Sequence, residues 1–274
     1  MVTKPAWSEQ FEPNVLKPAP LFPLDTPITR EWAWGGATGA GVKVAVIDSG
    51  IDASHPAVGH VEGGAVIEYD EETEEAHVIE GPHEDLFGHG TACAGIIREV
   101  APECELYSIR VLGERLTGKS VVFAEGLQWA IDNGINVANM SLSTSKRDFF
   151  DTFHELADAA YFHNVMLVSA INNVKARSYP SEYSSVFSVA AHERQDPFGL
   201  EYNPLPPVEF GAPGIRVRVA WTEGRFMPMT GNSFAAPHIA GLIARILSKH
   251  PGLTPFQIKT ILAAVADNAG HRSS

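Results

Sequence analysis

Val42-Lys43-Val44-Ala45-Val46-Ile47-Asp48-Ser49-Gly50-Ile51-Asp52 opens as a nearly continuous apolar strand, the pattern of a sheet buried on both faces. It ends in a turn that carries a carboxylate. Open α/β sheets form their sites just beyond the carboxyl ends of such strands, so Asp48 stands where a functional side chain would. An Asx-turn role is the ordinary alternative for a lone Asp. Working outward, apolar runs at 106–112, 135–142, 165–171 and 186–191 read as further strands, with shorter ones around 208–210 and 215–220. Segments 121–131, 149–162 and 254–266 read as helices. Segment 26–34 reads as a short one, with Thr26 as N-cap, Pro27 at the first position and Gly35 as its stop. Strands alternating with helices argue an α/β fold: a mostly parallel central sheet with helices on both faces.

Three other stretches stand out. From 62 to 85 the chain is acidic, and 64–69 and 76–80 read as a hairpin with 70–75 as its tip. Most such runs are solvated surface; the functional alternative is a negative rim that selects basic peptides. Gly88-His89-Gly90-Thr91-Ala92-Cys93-Ala94-Gly95 reads as a helix start packed closely against other backbone, and a lone His there is ordinarily structural. Thr230-Gly231-Asn232-Ser233-Phe234-Ala235-Ala236-Pro237-His238 leads into an apolar run at 239–247 with helical period,. Ser233 thus sits at or near a helix N-terminus, where free N–H groups favour developing negative charge. An N-cap is the ordinary reading of such a Ser.

With 274 residues, 45% apolar and 19% charged, the chain reads as a globular domain at 26–274 preceded by a Pro-rich extended arm at 1–25. A net charge of −13 argues against nucleic-acid binding, which needs clustered cations, and no apolar run is long enough to span a bilayer. The two cysteines, Cys93 and Cys104, read as buried thiols rather than a disulfide framework. No signal peptide is visible, so a cytoplasmic monomer is expected, or a secreted one if a leader precedes the sequence. His55, His60, His77, His83 and His89 lack a zinc spacing.

An Asp, a His and a Ser now stand at element junctions in one α/β chain. Acyl transfer needs a nucleophilic hydroxyl, a base for its proton and a carboxylate to hold the base's tautomer. Val46-Ile47-Asp48-Ser49-Gly50-Ile51-Asp52, Gly88-His89-Gly90-Thr91 and Gly231-Asn232-Ser233-Phe234-Ala235-Ala236-Pro237-His238 resemble the signatures of the subtilisin-like serine proteases, and the similarity runs from about 26 to about 267. The resemblance implies the subtilisin-like three-layer fold and hydrolysis of peptide bonds through an acyl-enzyme. Ser233 takes the place of the nucleophile, His89 of the general acid/base and Asp48 of the residue orienting it. Asn173 takes that of the side-chain oxyanion donor, with Asn172 as the alternative. An extended peptide or protein substrate would pair with Leu116-Thr117-Gly118 and Ser141-Leu142-Ser143, with Ser178 on the pocket floor and Ser143 narrowing its entrance to a modest side chain.

The departures from the family pattern carry their own expectations. Phe234 and Asn232 stand where the family has Met and Thr, and Cys93 lies one turn beyond His89. Cys93 is either a thiol beneath the triad or, as preferred here, a small core residue. The family's tight calcium site is expected to be absent: its carboxylate falls at Ala57 and its loop is shortened to 98–102,. No cofactor is expected, and the acidic hairpin is left only as a weaker cation site. General protein turnover and maturation of one peptide precursor both stay open. A catalytically inactive peptide-binding relative is the alternative from another class, although no triad member is lost. A nucleotide-binding α/β protein is opposed by the lack of a phosphate-cradling Gly loop after the first strand. Relatives with a short N-terminal arm suggest that Leu21-Phe22-Pro23-Leu24 lies near the cleft and restrains activity until cut. Deleting residues 1–25 should then raise activity, and unchanged turnover in the truncated enzyme would refute the idea.

Overall fold

The computed structural model describes residues 27–269, together with Ser8, Asn14 and Val15. The rest of the expected arm, including 21–24, lies outside the described residues, as does Thr26. The first strand, β1 (Lys43–Asp48), is buried along all but its first residue. Its alternate side chains enter two separate cores. Val44 and Val46 pack into one and Ala45 and Ile47 into the other, as the two-residue period of a strand requires.

Around β1 the chain adds β2 (Gly63–Tyr69), β3 (Ala76–Glu80), β4 (Glu105–Arg110), β5 (Val137–Met140), β6 (Met166–Ala170) and β7 (Phe187–His192). Next come β8 (Glu201–Tyr202) and β9 (Phe210–Pro213). Among the described residues these make one nine-stranded sheet in the order β3-β2-β4-β1-β5-β6-β7-β9-β8. β1 pairs in parallel with β4 on one side and β5 on the other, so the winding reverses beside it. The carboxyl end of β1 therefore opens into the crevice where such sheets place their sites.

Two helices, α3 (Ser120–Asp132) and α4 (Phe150–Phe162), cover the face that receives Ala45 and Ile47. The other face receives α2 (His89–Val100), α5 (Ala236–Lys249) and α6 (Pro255–Val265), with α1 (Arg30–Trp34) beside them. α1 starts later than the sequence suggests: Thr29, not Thr26, is its N-cap, accepting the N–H of Trp32. α6 begins as expected at Thr254, where a reciprocal capping box with Gln257 satisfies the free N–H groups,. Two strands escape sequence reading. β8 has two residues. The other strand, β11 (Arg225–Met229), is mostly exposed and carries Pro228, so neither burial nor propensity marks it,. It pairs antiparallel with β10 (Val217–Trp221), and Val217, Val219 and Trp221 pack against Ala92 and Ile96 of α2. Among the described residues no helix is long and apolar enough to cross a membrane.

At the far end of α2, in the shortened 98–102 segment, Arg98 gathers two loops. Its Nε donates to the Val58 carbonyl (2.9 Å) and its Nη2 to that of His60 (2.9 Å). Its Nη1 donates to the carbonyls of Pro102 (2.9 Å) and Cys104 (2.8 Å). One planar cation thus satisfies four backbone oxygens that would otherwise need other donors. Replacing it by Met should cost about 2 kcal/mol or more, since hydrogen bonds to charged groups exceed neutral ones. Thermal unfolding of Arg98→Met checks this, and an unchanged Tm would contradict it.

Candidate active site

Asp48 ends β1 and is fully buried, its Oδ1 accepting the N–H of Ser49 at 2.8 Å. His89 is the first residue of α2, and its Nδ1–H donates to both Asp48 oxygens, at 2.9 and 2.8 Å. That contact needs α2 to press against the turn after β1. Gly90 allows it: a Cβ there would collide with the Gly50 carbonyl oxygen and lie 3.2 Å from the Asp48 Cβ. Gly88, before the helix, has φ 113°, a region that L side chains rarely adopt,.

Asp85 locks the same junction. Its carboxylate accepts from Ser49 Oγ (2.7 Å), the N–H groups of Phe87 (2.9 Å), Gly88 (2.8 Å) and Thr91 (2.9 Å), and Thr91 Oγ1 (2.6 Å). Ser49 Oγ in turn accepts the Gly90 N–H at 3.0 Å. A negative charge there also suits the helix N-terminus. Sequence reading counts Asp85 with the solvated acidic run. The overlooked signal is its position three residues before the glycine that precedes a helix, where an Asp serves the free N–H groups. The hairpin tip does behave as surface: Glu71 pairs with Lys119, and Asp70 accepts the N–H groups of Glu72 and Thr73.

Ser233 lies in a single 3-10 turn, Asn232–Phe234, immediately before α5. Its carbonyl accepts from Ser141 Oγ at 2.9 Å, and Ser141 Oγ accepts from the buried Asn139 Nδ2 at 2.9 Å. Ser233 and His89 border one cavity of about 250 Å³, together with Leu116, Ser141, Leu142, Ser143, Asn172 and Asn173. Thr117 and Gly118 fall just beyond this lining. Ser178 does not form the floor. It is fully buried behind the wall, where its Oγ accepts the Asn172 N–H at 2.9 Å and the Ser181 hydroxyl at 2.6 Å. The lining that sequence reading missed is Leu112, Phe123, Ala170 and Ile171, apolar residues that looked like ordinary core. Asn173 Oδ1 accepts the Asn232 N–H at 2.9 Å, so donation from this side chain falls to its NH2 group. Asn172 instead turns its Oδ1 to the Val174 N–H at 3.2 Å.

Cys93 is buried beneath the pair, its sulfur 3.9 Å from His89 Nδ1, 3.9 Å from Asp48 Oδ2 and 3.6 Å from the Ser233 carbonyl. It is both core and neighbour of the site. Burial pushes its thiol pKa up. Asp48, His89 and Cys93 form the one group of potential metal ligands found among the described residues, their atoms within 4.8 Å of one another. The imidazole–carboxylate hydrogen bond accounts for that closeness. Two other histidines serve structure: His55 Nδ1 accepts the Ala57 N–H, and His83 meets Ser108 Oγ. His238 is buried and held down to about 4 by that burial, hence neutral.

Burial opposes the charged form of His89. The Asp48 carboxylate outweighs it, through its charge and hydrogen bond and with the help of Cys93, and holds the pKa well above the usual 6.5. The arrangement is a base with one nitrogen fixed by a carboxylate, beside a hydroxyl at a helix start and an amide donor. Such a set can pass a proton and stabilise an oxyanion.

A model described as the Subtilase family matches residues 39–274. The chain is 32% identical over 249 residues to a thermostable alkaline protease of Halalkalibacterium halodurans, covering 87% of this chain and 65% of that one. It is 32% identical over 250 residues to Subtilisin DY of Bacillus licheniformis, covering 86% and 87%. The chain therefore spans just under two thirds of the first relative's length and most of the second's. A solved structure, of a cold adapted subtilisin-like serine proteinase, matches with TM-score 0.65 at 26% identity over 86% of this chain and 88% of that one.

Because the folded value for His89 exceeds the ordinary one, the Asp48–His89 pair stabilises the fold fully below pH 6.5. That contribution is lost as pH rises through the folded value. NMR of the His89 ring should show titration above 6.5, and Asp48→Asn should bring it down. A wild-type value at or below 6.5 would contradict the assigned balance.

Proposed function

The chain belongs to the subtilase family, and from that premise we propose that it is a serine endopeptidase acting through Asp48, His89 and Ser233. The observation that carries the reading is the hydrogen-bonded Asp48–His89 pair at a cavity that Ser233 and Asn173 also line. At a pH above the raised His89 value, where Nε2 carries no proton, Ser233 Oγ attacks the peptide carbonyl carbon while His89 Nε2 takes the hydroxyl proton. Asp48 keeps the proton on Nδ1 and offsets the imidazolium charge that forms. The oxyanion receives the Ser233 N–H and the Asn173 NH2 group, donors aimed at charge that appears only in the transition state. His89 then protonates the leaving amine, and water repeats the sequence on the acyl-enzyme.

The substrate is an extended protein or peptide segment laid along Leu116-Thr117-Gly118 and Ser141-Leu142-Ser143, a strand added to backbone edges. Ser143 and Asn172 border the cavity and favour a modest side chain before the cut. No cofactor takes part in this chemistry. Turnover of many proteins and maturation of one precursor would use the same steps.

Labelling with a fluorophosphonate probe, mapped by mass spectrometry, tests the reading. Stoichiometric modification at Ser233, lost in Ser233→Ala together with about 10⁶-fold in kcat, is the expected result. Absence of labelling in the full chain and in a chain trimmed of residues 1–25 would replace the proposal with a peptide-binding relative.

A further inference from the structure

Asn232 precedes the nucleophile, and four of its hydrogen bonds join two other segments to its own turn. Its Nδ2 donates to the carbonyls of Ile171 (3.0 Å) and Asn172 (3.2 Å), in the loop after β6. Its Oδ1 accepts the Ala191 N–H of β7 at 2.9 Å. Its own N–H donates to Asn173 Oδ1 at 2.9 Å. Both amide hydrogens and the amide oxygen are thus engaged, and the residue is covalently bonded to Ser233.

The two oxyanion donors come from different parts of the chain: the Ser233 N–H from the turn before α5, the Asn173 NH2 from the loop after β6. Their spacing must match one oxygen atom closely, since misplacements near 1 Å can cost about 10²-fold in rate. We propose that Asn232 is the positioning residue that sets this spacing, by tying the loop at 171–173 to the nucleophile turn and both to β7. This rests on the reading of Ser233 as nucleophile and Asn173 as oxyanion donor. A hydroxyl side chain at 232 has a single oxygen and one donated hydrogen, so it could not make all three side-chain bonds.

The oxyanion exists only past the ground state, so the loss should fall on kcat and spare KM. Wild type, Asn232→Ala, Asn173→Ala and the double variant are compared on one peptide nitroanilide, with Tm measured for each. Asn232→Ala should lose about 10- to 100-fold in kcat, with KM changed by no more than about twofold. The double variant should be no slower than Asn173→Ala within about threefold, because the donor that Asn232 places is already gone. Should Asn232→Ala fail to fold, Asn232→Asp takes its place. It keeps the acceptor for Ala191 and the backbone N–H bond to Asn173, loses both side-chain bonds to the loop, and the same pattern is expected.

Wild-type kcat in a folded Asn232 variant overturns the proposal. So does a change confined to KM or Tm, or losses that multiply fully in the double variant. A wild-type enzyme that neither cleaves nor takes the probe at Ser233 removes the endopeptidase reading itself, and the role of Asn232 with it. Normal labelling with an unimpaired Asn173→Ala removes only the donor assignment and its positioning by Asn232.

Discussion

The site depends on one close approach, the start of α2 pressed onto the turn that ends β1. Gly90 gives up a side chain to allow it, and Asp85 fastens it by accepting from Ser49 on one side and from the helix N-terminus on the other. Only with that contact made can Asp48, at the end of a strand buried on both faces, reach His89. A buried carboxylate without a partner would be costly. Here the imidazole and the Ser49 N–H satisfy it, and its charge governs how His89 titrates.

The nucleophile turn is held by a different logic. No side chain caps it, and its backbone is gripped from several directions. Ser141, itself reached by Asn139, takes the Ser233 carbonyl, while Asn232 reaches across to β7 and the loop after β6. Asn139 and Ser141 lie on and just after β5, so a buried polar chain runs from the sheet to the reacting residue. Polar groups in a packed interior are worth their desolvation when they have partners and fix one geometry, and here the geometry is that of a reaction centre.

Charge divides by role in the same way. The acidic tip between β2 and β3 is solvated and makes ordinary surface pairs. Asp85, at the end of that run in sequence, belongs to the half-buried junction of β1 and α2, and a run of like charges read along the chain does not separate the two. Arg98 is the mirror case: a basic residue at the end of α2 whose guanidinium is spent on four carbonyls.

Much of this was legible before any coordinate. Periodicity and burial pattern identify β1 and its parallel neighbours, because a strand covered on both faces must be apolar throughout. The three short signatures point to Asp48, His89 and Ser233, because small residues and Gly beside reactive side chains mark tight junctions. Sequence alone could not show that Asp85 is a half-buried clamp, that Ser178 stands behind the pocket wall, or that Leu112 and Phe123 line the cavity. Nor could it show that Asn232 joins three segments. Each of these turns on a contact between residues far apart in the chain. Local pattern records what a residue is suited to do, and only the packed sheet and its loops decide which partner it meets.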